Sequence, residues 1–130
     1  MDLQSKGRTV HEAELRVEPV KLAELVTAIG TANAEDTASL VLWFGATIGG
    51  DDKLVATLGM DLSKALLSGH RYDWVRPFRA GEAVHAKLVV EDVFEKGANH
   101  LAVLVAEFRD ADGELIQTQH TTFIERGAAA

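Results

Sequence analysis

His70 is the histidine best placed for acid–base work in this chain, because it opens a predicted strand and Asp73 follows where a carboxylate could orient it. A neutral imidazole accepts a proton near neutral pH; the plainer alternative is a half-exposed histidine at a strand end. Asp36 is the second candidate. It stands at the head of a strongly apolar run, where the amides of a helix N-terminus can polarise a bound carbonyl. A simple helix cap needs the same residue at the same place. Arg71, Arg76 and Arg79 form a local cationic group that could meet an anionic part of a ligand. The remaining histidines read as structural. His120 shares a strand face with Ile116 and Ile124, His85 has the parity of Lys87 on a solvent face, and His11 and His100 fall at element ends. The chain has no cysteine, hence no thiolate nucleophile, and no HExxH or similar metal spacing. Phosphate-cradling glycine motifs are absent too.

The elements that must position these groups divide the chain in two. In the first half, Ala13–Val17 alternates as a short strand, and Pro19 starts a one-sided helix carrying Leu22, Leu25, Val26 and Ile29 and ending at Gly30. The run from Ala38 to Ile48 is apolar on all sides, capped by Asp36 or Thr37 and stopped by Gly49-Gly50. It is too short for a bilayer, which needs roughly 20 residues, so it belongs inside a core. Trp43 and Phe44 give it a large area to bury and could narrow a ligand tunnel. A short helix follows with Leu54, Val55 and Leu58 inward, and Asp61 is predicted to cap another over Leu62–Leu67. From His70 the period changes to two. Strands are expected over Arg71–Val75, Val84–Phe94, Leu101–Phe108 and Leu115–Ile124, with Val84, Ala86, Leu88, Val90 and Phe94 on the buried face of the second and Asp110–Gly113 as a hairpin turn. Helices followed by an antiparallel meander define an α+β class. The simplest burial of the all-apolar helix is a curved antiparallel sheet wrapped around it, the hotdog arrangement.

The 130 residues suit a single domain, 1–130, with one core. A formal net charge of −7 with no basic cluster argues against nucleic acid. The first sixteen residues contain no apolar stretch, so no signal segment and no membrane partner are expected, and the cytoplasm is the default location.

Two stretches carry a family resemblance. They are GHRYDWVRPFRAGE (Gly69–Glu82) and the following long strand, EKGAN turn, FRDADGEL closure and TTFIERG ending. Together with VEPVKLAELVTAIGTAN they resemble the N-terminal-type MaoC dehydratase domain, the hotdog module of (R)-specific enoyl-thioester hydratases and 3-hydroxyacyl-thioester dehydratases. The match runs roughly from Gly7 to Gly127. It implies an acyl-thioester ligand, on coenzyme A or a carrier protein, and no cofactor. Trp43, Phe44, Asp73 and Arg76 are then the residues expected at the substrate. Active members carry an Asp and a His about five residues apart on a loop before the central helix, as general acid–base chemistry requires. Here Thr31-Ala32-Asn33 leads directly to Glu35-Asp36, and no histidine occurs between His11 and His70. The resemblance therefore implies a dyad-free subunit, which pairs with a catalytic MaoC-like partner as a heterodimer. The alternative is a homodimeric enzyme, a thioesterase or a dehydratase or cyclase of secondary metabolism, using His70 and Asp36. In either case the dimer seam is expected near His70–Val75, since a lone sheet edge is normally covered.

Overall fold

The computed structural model describes residues 1–30 and 51–129. The predicted central helix, with Asp36, Trp43 and Phe44, and the connector before it lie outside the described residues. Strand β1 (Thr9–Arg16) is followed by α1 (Pro19–Ile29), then by α2 (Asp51–Leu58) and one 3-10 turn (Leu62–Lys64). Four strands complete the chain: β2 (Ala65–Trp74), β3 (Ala83–Lys96), β4 (Asn99–Arg109) and β5 (Leu115–Glu125). They form one antiparallel sheet in the order β1-β3-β4-β5-β2.

Each element has a local cause. Pro19 presets the first turn of α1, and Gly30, at φ 77°, closes it by returning its amide to the Val26 carbonyl. The β4–β5 hairpin is set by Asp110, whose carboxylate accepts the amides of Asp112 at 2.9 Å and Glu114 at 3.0 Å. Alternation along β3 and β4 sends Val84, Ala86, Leu88 and Val90, and then Ala102, Leu104, Ala106 and Phe108, to one buried face. That inner face, with Leu54 and Leu58 of α2 and the aromatic chain Trp74–Phe78–Phe108, is the core. Among the described residues no helix is long and apolar enough to cross a membrane.

Four departures from the sequence expectations have physical reasons. Asp61 does cap, accepting the Ser63 amide at 3.0 Å, but the predicted helix Leu62–Leu67 stops after one turn. Residues from Ala65 onward instead gain a full ladder against β5, from Ala65 opposite Glu125 to Trp74 opposite Gln117. A one-residue bulge at Ser68 breaks the period of two, which is why the strand was read as starting only at Arg71. A second bulge, at Glu91 in β3, moves Val93 to the core and turns Phe94 outward. A third, at Ile116, buries that residue on the inner side, away from the outer face that holds His120. Finally, His100 is buried. Its Nδ1 lies 3.0 Å from the Met1 amino group, which also donates to Glu125 at 2.7 Å, so the first residues fold over the start of β4.

On the outer face His85 does stand beside Lys87 as expected, and it clamps β1 to β3. Its Nε2 lies 2.7 Å from Glu12 and its Nδ1 bonds Glu14. Hydrogen bonds donated to Glu14 and Glu12 hold the imidazole above the ordinary histidine value of 6.5. A raised value in the folded state means that this stabilisation is complete below pH 6.5 and is lost as pH climbs through the folded value. Thermal melts of the wild type and His85→Gln from mildly acidic to mildly alkaline pH should therefore converge as pH rises. A pH-independent gap between the two would contradict the clamp.

Candidate functional site

Across the inner face the side chains change in character. Apart from His100 at the start of β4, strands β3 and β4 present alkyl and phenyl groups, whereas β5 and the edge strand β2 present a polar row. Register assembles that row rung by rung. Thr121 lies between Leu104 and His70, Gln119 between Ala106 and Tyr72, and Gln117 between Phe108 and Trp74. Thr121, Gln119 and Gln117 are buried, His70 is partly exposed and Tyr72 is 38% exposed. The row thus begins at the solvent edge and ends in the core.

His70 Nδ1 is 2.9 Å from Thr121 Oγ1, and its ring meets that of Tyr72 edge-on at 4.4 Å between centroids. Burial holds the imidazole below the ordinary histidine value, so it is neutral at neutral pH. In the tautomer whose Nδ1–H donates to Thr121 Oγ1, the lone pair sits on Nε2, the form a general base requires; in the other, Thr121 donates to Nδ1. Burial pushes the Tyr72 phenol up, which keeps it a donor. Deeper in, Gln119 Nε2 donates to Gln117 Oε1 at 2.8 Å. The sequence reading missed Tyr72, Gln117, Gln119 and Thr121. Their spacing of two was visible, but LIQTQHTTFIE is polar on both faces, so nothing marked which face was inward.

The predicted partnership of Asp73 with His70 is corrected. The two residues are three apart on one strand and point to opposite faces. Asp73 Oδ2 instead lies 3.1 Å from His120 Nε2 and 3.2 Å from Arg71 on the outer side. Arg76, expected at the substrate, lies at the sheet corner. Its guanidinium binds both carboxylate oxygens of Glu82, at 3.0 and 2.7 Å, and reaches Asp110 at 3.5 Å, so it fastens the sheet corner. Asp36, Trp43 and Phe44 lie outside the described residues, and with them the expected floor of the site. Among the described residues no group of His, Asp and Glu is arranged to hold a metal ion.

The edge strand β2 completes the picture. On the side away from β5 it has no neighbouring strand among the described residues, and Leu66, Leu67, Tyr72 and Val75 are exposed along it. One five-stranded antiparallel sheet with few helices is the fold of the hotdog proteins of the MaoC-like dehydratase class. The model of the FAS1-like, dehydratase domain region matches residues 5–119, and the chain belongs to that family. It is similar to a UPF0336 protein of Streptomyces griseus, 26% identical over 106 residues that cover 82% of this chain and 71% of the relative. In structure it is similar to the HadBC (3R-hydroxyacyl-ACP dehydratase) complex of Mycobacterium tuberculosis. The TM-score is 0.69 at 18% identity, covering 95% of this chain and 98% of that one. A MaoC-like dehydratase from Phytophthora capsici gives a TM-score of 0.71 at 15% identity, over all of this chain and 52% of that one.

Proposed function

We propose that this chain is a hotdog subunit that binds an acyl thioester and completes a heteromeric enoyl-thioester hydratase or dehydratase. The observation that carries this reading is the polar inner row, which reaches solvent at an edge strand with exposed apolar side chains. A site that opens at an uncovered edge is half a site, and a second hotdog sheet pairing along β2 would supply the other half. The HadBC complex, similar in structure, is itself built of two different chains. No Asp/His pair stands in the sequence between His11 and His70, so in this reading the acid and base come from the partner. Co-expression with a MaoC-type chain that carries both residues tests it. The pair should co-purify and hydrate enoyl-thioesters faster than the partner alone. A partner fully active by itself, beside a separate homodimer of this chain, would overturn the proposal.

A second reading is favoured by one observation, the neutral and partly exposed His70 anchored on Thr121. In it the chain acts alone as a homodimer, with His70 as the base. His70→Ala should then abolish thioester turnover while light scattering still reports a dimer, and an unchanged rate would remove His70 from the chemistry.

A further inference from the structure

The innermost rungs of the polar row hold two amides that are incompletely satisfied. Gln117 and Gln119 are 0% and 2% exposed and share one hydrogen bond, while Gln117 Nε2 and Gln119 Oε1 have no partner. The orientation of the amides does not alter this. Turning both over exchanges which one donates, and still leaves one N–H group and one carbonyl oxygen unmet. A buried donor or acceptor without a partner is strongly unfavourable, so a complementary group is expected to meet the pair. An alkyl chain meets neither atom and a carbonyl meets only the donor. A hydroxyl accepts from the one and donates to the other.

The placement suits a ligand arriving from the edge. Gln119 lies beside Ala106, a small neighbour, and beside Tyr72, which reaches solvent. At the usual strand rise the pair sits roughly 7 to 13 Å along β5 from the Thr121–His70 rung. A hydroxyl held there is several carbons distant from any group that touches His70. Building on the acyl-thioester reading above, we propose that the Gln117–Gln119 pair selects acyl chains bearing a hydroxyl remote from the thioester, over unsubstituted chains of the same length.

The test is calorimetric titration of the full chain, both alone and as the co-expressed complex with a MaoC-type partner, with octanoyl-coenzyme A and with a panel of singly hydroxylated octanoyl-coenzyme A thioesters, the hydroxyl moved from the β-carbon to the chain end. At least one position beyond the β-carbon should bind on the order of 10- to 100-fold more tightly than the unsubstituted chain. Gln117→Leu combined with Gln119→Leu should erase that preference, with circular dichroism verifying the fold. If the double variant does not fold, the wild-type panel alone decides. Equal affinity across the panel, or preference for the β-hydroxyl only, overturns the proposal and leaves the pair to a buried water. Absence of binding by every thioester overturns the acyl-thioester reading and this proposal with it.

Discussion

Phe108→Ala is expected to destabilise the fold by about 3–5 kcal/mol, the usual range for deleting a buried ring. Phe108 is 1% exposed and sits where β4 meets the corner, with its ring edge-on to Phe78 at 5.7 Å and Phe78 in turn against Trp74 at 5.4 Å. Its removal leaves a cavity between the sheet and the segment that leads into β3, and a backbone tied into strands on both sides collapses poorly into such a space. Phe108→Leu should cost less, since it retains most of the apolar volume. Urea unfolding at a fixed protein concentration measures both, because pairing along β2 would couple stability to concentration. A loss below about 1 kcal/mol for the alanine variant would show that the aromatic chain does not act as the keystone described here.

The second large effect is expected at the corner. Arg76→Met removes a cation from between Glu82 and Asp110, leaving two carboxylates to face each other. The side chains of Arg76 and Glu82 are 21% and 14% exposed, so the effect should fall short of that for a fully buried pair, at about 2–4 kcal/mol. Acid should narrow the difference. Burial pushes the Glu82 carboxyl up, but the Arg76 hydrogen bonds and the Arg79 amide outweigh it and hold the group below the ordinary value of 4.5. With the folded value depressed, the stabilisation is full above pH 4.5 and is lost as pH falls through the folded value. Wild type and variant should therefore approach each other in urea melts taken at progressively lower pH. A gap that stays constant into strong acid would assign the cost to lost packing of the arginine stem.

Much of this architecture was legible in the sequence because its signals are local. Pro19 and Gly30 bracket α1, Asp110–Gly113 turns β4 into β5, and the alternation in β3 declares its inner face. The errors lie where a bulge or a long-range contact decides. Ser68 and Glu91 each shift the phase of a strand by one residue, and nothing local announces that; one hid the first half of β2 and the other put Phe94 on the wrong side. His100 stands next to a turn and reads as a surface residue, and only the fold of residues far away in sequence buries it. For the site, His70 was legible as a candidate histidine at the head of a strand. Its partner was not, because Thr121 is brought to it by pairing of β2 with β5 across the sheet. Arg76 and Glu82 could be paired from sequence proximity, yet the same reading left Arg76 as a ligand for substrate. In the structure its guanidinium makes four hydrogen bonds at the corner, one to the Pro77 carbonyl, two to Glu82 and one to Asp110.

The bulge at Ser68 also bears on how the exposed edge of β2 could associate. An unpaired edge with exposed leucines is a template for indefinite strand addition, the first step of fibrillar aggregation. The bulge divides that template into Ala65–Leu67 and Gly69–Trp74, two segments out of phase with each other. A regular incoming strand can dock on one of them but cannot run the full length of β2. The irregularity that concealed this strand in the sequence thus limits how far an incoming strand can extend along β2.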